Sequence, residues 1–275
     1  MDTAREAFSV VQQQLMAARI PEPEAKARVI VSHVLGIELS NVFSGLPVDA
    51  ERRAQIGSIA DRCAQGLPVE YATGKAYFRY LALDVTPNVL IPRQETELVA
   101  EAAINLINAN NYRSALDIGT GSGCIAISLA TETKAAVDAC DISEAALKLA
   151  ACNAAANGAQ VRFFLSDMLG GVTGAYDIII SNPPYVSEEE YLALDAGVKD
   201  YEPKLALTAG DGLDCYRVIA YEAGRHINPG GALVLEIGMT QGAAVAELLT
   251  GGGFADIGVK QDYSGRNRIV TARKI

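Results

Sequence analysis

Histidine is nearly missing from this chain of 275 residues, with His33 and His226 the only two. The five cysteines, Cys63, Cys124, Cys140, Cys152 and Cys215, are odd in number, scattered, and form no Cys-x-x-Cys pair. That inventory is too thin for a zinc site and too irregular for a disulfide framework. The cysteines are read as small buried hydrophobes, and no metal is expected. Basic clusters are missing as well. Lys and Arg number 23 against 33 Asp and Glu, a formal net charge of −10, and the cations stand singly or in pairs such as Arg52-Arg53. Proteins that grip duplex nucleic acid neutralise phosphates with clustered cations. The expected partner is therefore a protein or a small molecule, with no direct nucleic-acid contact. No apolar stretch approaches the roughly 18 residues that would span a bilayer. The opening residues Met1–Glu6 carry neither a basic n-region nor an apolar h-region. A cytoplasmic location without membrane contact is expected.

Half of the residues are hydrophobic and 20% are charged, which supports a sizeable core. The length suits a main domain of roughly 180 residues and a smaller companion. Up to residue 74 the pattern is helical. Thr3 and Glu6 have the spacing of a capping box, and Phe8, Val11 and Leu15 follow on one face. A second stripe, Ala27, Ile30, Val34 and Leu35, lies between Pro23 and Gly36, and Asp49 can cap a third that carries Ile56, Ile59 and Cys63. Residues 75–94 contain alternating aromatic and β-branched positions among turn residues, the pattern of a hairpin connector. From 95 to 275 strands and helices alternate. Strands are expected at 114–118, 135–141, 161–165, 176–181, 232–237, 256–259 and 268–272, and helices at 124–130, 144–157, 213–226 and 241–249. Such alternation implies βαβ units around a parallel sheet.

The first strand runs into Asp117-Ile118-Gly119-Thr120-Gly121-Ser122-Gly123 and then into a helix. Glycines there permit a tight turn and let a ligand approach the backbone, while the helix start offers unpaired N–H groups. Asp141, 20 residues after Gly121, ends the next strand, where a carboxylate can accept both hydroxyls of an adenosine ribose. The spacing Gly121-x-Gly123-x-x-Ala126 also fits a dinucleotide fingerprint. Asp117 favours S-adenosyl-L-methionine, because its charge suits the amino group of the methionine moiety and would repel a pyrophosphate. The arrangement Asp-x-Gly-x-Gly-x-Gly moreover resembles the first motif of class I methyltransferases. In that fold Asp167, after the third strand, would lie near the adenine amino group, and Met168 beside it would line the adenine pocket.

The strand Tyr176–Ser181 runs directly into Asn182-Pro183-Pro184-Tyr185. Each proline sets φ and lacks an N–H, so the chain leaves the sheet on a fixed path with the Pro183 carbonyl free of a ladder partner. An amide or aromatic amine nitrogen attacks a sulfonium methyl poorly because its lone pair is delocalised. The Asn182 side-chain oxygen and the Pro183 carbonyl can hold its two N–H groups and stabilise the charge that develops, and the face of Tyr185 can pack on the planar group. Asn182, Pro183, Pro184 and Tyr185 are the candidate catalytic residues. Asp117, Gly119, Thr120, Gly121, Ser122, Gly123, Asp141, Asp167, Met168 and Asn182 are the candidate cofactor-binding residues.

Asn-Pro-Pro-Tyr in this position resembles both N6-adenine nucleic-acid methyltransferases and glutamine-amide protein methyltransferases. Further strings resemble the release-factor glutamine N5-methyltransferase family: Gly66-Leu67-Pro68-Val69-Glu70-Tyr71-x-Thr73-Gly74, Leu90-Ile91-Pro92-Arg93-Gln94-Glu95-Thr96-Glu97, Glu202-Pro203-x-x-Ala206-Leu207, Gly210-Asp211-Gly212-Leu213-x-x-Tyr216-Arg217, Pro229-Gly230-Gly231, Glu236-Ile237-Gly238 with Gln241, and Asp262-x-x-Gly265-Arg266-x-Arg268. The Pro92–Glu97 segment would border the site. The resemblance implies an α/β class I S-adenosylmethionine methyltransferase, Rossmann-like, with a mostly parallel seven-stranded sheet. A small amino-terminal helical bundle, joined by a β-hairpin linker, would help dock the substrate. It further implies transfer of a methyl group to the glutamine of the Gly-Gly-Gln loop of peptide chain release factors, with S-adenosyl-L-homocysteine as product. A monomer is expected. The chain departs from the family in having Gln94 where proline is usual and Met168 where an aromatic is frequent. Arg93 and Glu97 are expected either to steer substrate or to organise the connector, and Arg266 and Arg268 to be structural or at the surface.

Overall fold

The computed structural model describes residues 2–275. They form two compact units, residues 2–75 together with Asp195–Tyr201, and Ala76–Leu194 together with Glu202–Ile275.

The first unit is helical: α1 Ala4–Ala17, α2 Pro23–Leu35, α3 Ala50–Ala64 and α4 Val69–Thr73. Their boundaries follow local chemistry. Thr3 accepts the Glu6 N–H at 3.3 Å, and the Glu6 carboxylate accepts the N–H of Asp2 at 2.7 Å, one residue before the position a capping box requires. Asp49 caps α3 through the Arg52 N–H at 2.8 Å, and α2 begins on Pro23 and ends on Gly36 at φ +64°. The apolar stripes of α1, α2 and α3 meet in one core built on Phe8, Val11, Leu15, Ile30 and Ile56.

At the start of the second unit, β1 Lys75–Phe78, whose first residue closes the first unit, and β2 Leu81–Asp84 pair as a hairpin. Then follow α5 Gln94–Asn110, β3 Ser114–Ile118, α6 Cys124–Glu132, β4 Ala136–Asp141, α7 Glu144–Ala156, β5 Val161–Leu165 and β6 Tyr176–Ser181. Three short helices, α8 Glu188–Leu192, α9 Ala196–Lys199 and α10 Lys204–Leu207, precede α11 Asp214–Glu222, of which α9 belongs to the first unit. The chain closes with β7 Ile227–Glu236, α12 Gly242–Gly251, β8 Phe254–Gln261 and β9 Asn267–Lys274. The seven-stranded sheet has the order β5-β4-β3-β6-β7-β9-β8, parallel except for the antiparallel pairings of β9 with β7 and β8.

Three expectations need correction. The helix expected over 213–226 is α11 followed by a tighter turn at Ala223–Arg225. The strand expected over 232–237 begins five residues earlier, at Ile227, and absorbs Pro229-Gly230-Gly231 beside a register shift against β6. α5 was not anticipated, although Val99, Ala100, Ala103, Ile104 and Ile107 recur at helical spacing and are buried. Gln94, at the family's proline position, is the first residue of α5, where proline is favoured because its missing N–H has no intrahelical partner anyway.

Alternation along the strands divides the core. Ala115, Ile178, Val234 and their neighbours pack beneath α5 and α6, whereas Leu116, Ile179, Leu233 and Leu235 pack beneath α11 and α12. By the same period of two, Asp117 and Glu236 point to the α5 side. No helix among the described residues is long and apolar enough to cross a membrane.

Candidate active site

The strand order reverses beside β3: β4 and β5 build outward on one side, and the chain then crosses to β6 on the other. At such a switch point the loops leaving the carboxyl ends part and open a crevice. A cavity of about 410 Å³ lies there, within the range of roughly 300–1,000 Å³ usual for small-molecule sites. Its wall includes Gly119, Thr120, Gly121 and Ser122 after β3, Asp141 at the end of β4, Asp167 and Met168 after β5, and Asn182 and Pro184 after β6. Asp117, Gly123, Pro183 and Tyr185 are absent from that wall.

The glycines differ in what they do. Gly119 and Gly121 adopt φ +72° and +55°, and a Cβ on either would meet nothing within 4 Å, so their bare edges face open space. Gly123, at φ +87°, would drive a Cβ to 2.9 Å from Ile127 and 3.2 Å from Ala150. It serves helix packing. Thr120 donates to Asp117 Oδ2 at 2.7 Å, whereas Asp117 Oδ1 is buried without a partner. Burial pushes the Asp117 carboxyl up to about 7, against the Thr120 bond that lowers it. Asp141 accepts the N–H of Gly121 and that of Ser143, both at 2.9 Å, and so ties the glycine loop to the start of α7. Met168 sits at φ +47°, a left-handed conformation that side chains rarely adopt.

The ladder of β6 ends at Ser181, and the Pro183 carbonyl has no ladder partner. Asn182 Nδ2 donates to Thr96 Oγ1 at 3.1 Å, which leaves Oδ1 as the acceptor available to a ligand. Thr96 donates to Glu236 Oε2 at 2.7 Å, and the Tyr185 hydroxyl lies 3.4 Å from Glu236 Oε1. Tyr185 thus turns its hydroxyl toward a buried carboxylate and packs on the core beneath α11 and α12, rather than standing in the cavity wall. Gln241 Nε2 bridges the carbonyls of Tyr185 at 2.9 Å and Gly212 at 3.0 Å, pinning the loop after the prolines. Arg93 lines the cavity and pairs with the buried Glu202, which also accepts the Ile91 N–H at 3.3 Å. Glu97 accepts the Arg79 N–H at 3.0 Å. Arg268 donates to the Ile237 carbonyl at 3.2 Å, a structural contact.

Three contributors had no role assigned from the sequence, although Thr96 and Glu236 lie within the strings that carry the family resemblance. Thr96 and Glu236 are both buried and join Asn182 to the sheet. Asn153, also buried, accepts the Asp84 N–H at 2.7 Å and donates to the Asp84 and Ser122 carbonyls at 3.0 and 2.9 Å, so it fastens the glycine loop to the hairpin. A polar Asn among the alanines of α7 was the available signal.

A parallel sheet of this order, closed by an antiparallel strand and carrying a glycine loop and strand-end acid at its switch point, defines a Rossmann-like class I methyltransferase. The model of the methyltransferase small domain matches residues 93–198, and that of the PrmC N-terminal domain matches 6–74. Release factor glutamine methyltransferase of Cereibacter sphaeroides is 41% identical over 276 residues, covering 98% of both chains. Its counterpart from Chlorobaculum tepidum is 40% identical over 269 residues, covering 91% of this chain and 90% of that one. The chain belongs to the release factor glutamine methyltransferase family. Solved structures share the fold: a methyltransferase from Pyrococcus furiosus superposes with TM-score 0.53 at 20% identity, over 82% of this chain and 99% of that one. A 16S rRNA N2 G1207 methyltransferase of T. thermophilus superposes with TM-score 0.54 at 20% identity, over 73% of this chain and 50% of that one.

Proposed function

We propose that the cavity binds S-adenosyl-L-methionine and that the chain methylates the side-chain amide nitrogen of the glutamine in the Gly-Gly-Gln loop of peptide chain release factors. The observation that carries this reading is the meeting, in one cavity, of the Gly119–Ser122 cradle, Asp141 and an Asn182 amide with its oxygen unclaimed. The names of the family members supply the substrate class.

The groups present fit the cofactor. Asp117, buried directly behind the glycine turn that lines the cavity, places a carboxyl on the side where the ammonium group would sit. Asp141 has lone pairs left for ribose hydroxyls, and the open faces of Gly119 and Gly121 suit close backbone approach. When bound, the cofactor supplies a methyl group on a sulfonium. The residues of the chain then need only orient and polarise the nucleophile. Asn182 Oδ1 and the Pro183 carbonyl hold the two amide N–H groups, which favours a nitrogen rehybridised toward the methyl. With the cofactor bound, the positive charge that develops on the substrate nitrogen as it takes the methyl, the sulfur keeping the pair of the broken C–S bond, would meet these two acceptors until one proton leaves to solvent. Catalysis is positioning and electrostatics, with no strong base. Tyr185 acts through the shape of the loop and its hydroxyl contact with Glu236, and the helical unit of residues 1–74 contributes to docking the release factor.

The test is methyl transfer from labelled S-adenosyl-L-methionine to purified unmethylated release factor and, separately, to unmethylated DNA and RNA, with the modified residue located by peptide mass spectrometry. Label on the Gly-Gly-Gln glutamine is expected. Label on adenine alone overturns the reading in favour of the nucleic-acid enzymes that share the Asn-Pro-Pro-Tyr string.

A further inference from the structure

Asn182, Thr96 and Glu236 form a chain of hydrogen bonds that ends in a buried carboxylate. Asn182 Nδ2 lies 3.1 Å from Thr96 Oγ1, and Thr96 Oγ1 lies 2.7 Å from Glu236 Oε2. Asn182, at the mouth of β6, and Thr96 both line the cavity, whereas Glu236 is absent from its wall. Threonine has one hydroxyl proton, and an ionised carboxylate has none to offer. With Glu236 ionised, Thr96 must donate to it and can only accept from Asn182. The amide is then held with Nδ2 toward Thr96 and Oδ1 toward the cavity. With Glu236 neutral, the direction reverses: the carboxyl donates to Thr96, Thr96 can donate to the amide oxygen, and the favoured orientation turns Nδ2 toward the substrate. An N–H facing the N–H groups of a substrate amide is repulsive.

We propose that Thr96 and Glu236 are positioning residues that fix which end of the Asn182 amide meets the substrate nitrogen. The inference rests on the reading of Asn182 as the acceptor for that nitrogen. It extends the reading by naming two residues that act on the substrate nitrogen through Asn182, of which Glu236 stands outside the cavity wall.

Several groups face Glu236. Glu95 and Thr96 come from α5, Cys124 from α6, Tyr185 from the loop after β6, Tyr216 from α11, and Arg268 from β9. Burial raises the carboxyl to about 7, and the Thr96 bond and the Arg268 charge oppose that rise, while Glu95 adds to it. The change of direction along the chain of bonds therefore falls near neutral pH. Activity belongs to the ionised form, so turnover should rise with pH through that range.

The experiment measures kcat for methyl transfer to purified release factor at saturating S-adenosyl-L-methionine, between about pH 6 and 8, in five variants beside the wild type. Cofactor affinity is followed by calorimetry. Saturation keeps the titration of Asp117, which belongs to cofactor binding, out of kcat. Thr96→Val should lower kcat by about tenfold or more with the cofactor Kd nearly unchanged. Thr96→Ser, which restores the hydroxyl, should recover most of that loss. Adding Thr96→Val to Asn182→Ala should have no further effect, because the two act as a unit. Glu236→Gln should abolish the acid limb of the kcat profile.

Full turnover in Thr96→Val, equal losses in the Val and Ser variants, or an acid limb that survives in Glu236→Gln would each overturn the proposal. A wild-type kcat that is flat across the range also overturns it, whether or not any variant folds. Full turnover in Asn182→Ala would instead sink the underlying reading of the site. Loss in Asn182→Ala with none in Thr96→Val sinks only the positioning role.

Discussion

Single side chains divide between holding the cofactor and acting on the substrate, and two substitutions separate these roles. Asn182→Ala removes the unclaimed acceptor but leaves the glycine loop untouched. Turnover is expected to fall about 10²-fold, with cofactor affinity by calorimetry within a factor of a few. Normal turnover would remove the amide clamp from the mechanism. Asp141→Ala has the opposite signature. It leaves the N–H groups of Gly121 and Ser143 without their acceptor and takes away the ribose partner, so Kd for S-adenosyl-L-methionine should rise about 10- to 100-fold, by the roughly 1.5–3 kcal/mol of hydrogen bonds to a charged group. An unchanged Kd would move the ribose elsewhere. Tyr185 is a lesson at the same scale. Its residue type suggested a ring stacked on the substrate, but a buried carboxylate within reach of its hydroxyl decides where the ring goes.

Elements set where these side chains can stand. The parallel strands were legible because burial on both faces demands continuous apolar runs such as Ile178-Ile179-Ile180. Their carboxyl ends then supply Asp141, Asn182 and Glu236 to one edge. α5 was overlooked because the sequence signal around Leu90–Glu97 reads as a loop motif, and its apolar positions include four alanines, a weak hydrophobic pattern. The glycine loop yields a contrast between neighbours. Gly123→Ala combines a left-handed φ with a collision against Ile127 and Ala150, and overpacking of this kind costs about 1–3 kcal/mol. Gly121→Ala meets open space and pays only the backbone penalty of about 1–2 kcal/mol, but its methyl group would stand where the cofactor approaches. Denaturant unfolding should therefore show Gly123→Ala as the less stable variant, and calorimetry should show Gly121→Ala with the greater loss of cofactor affinity. The reverse order would mean that the loop meets the ligand through a different glycine.

For the molecule as a whole, two acids buried beneath α5 connect stability to pH. Asp117 and Glu236 are both raised to about 7, from an unfolded value of about 4. The folded state then binds more protons than the unfolded chain between these values. The stability each contributes is complete below about pH 4 and is lost as pH rises through about 7. The thermal midpoint of the cofactor-free wild type should accordingly fall more between about pH 5 and 8 than that of Asp117→Asn, which keeps the shape and the Thr120 partner without the titration. Equal falls in the two proteins would show that Asp117 is already ionised in the folded state. Binding a cation beside Asp117 favours the charged carboxylate and should release a proton, visible as a buffer-dependent binding enthalpy.

What the sequence determined by itself is local or periodic: the capped helices, the two-sided strands, the glycine turn, and the rigid exit through Pro183 and Pro184. Each depends on residues within a turn or a strand of one another, so spacing alone carries it. Only the tertiary structure decided that Thr96, Asn182 and Glu236 form one network, since they stand 86 and 140 residues apart along the bonds that join them. The parallel sheet makes that junction, because it brings the ends of distant strands to one edge and their alternate side chains to one face. Direction along the network is likewise invisible in the sequence: it depends on whether a buried carboxylate keeps its charge, and burial exists only once the chain has folded.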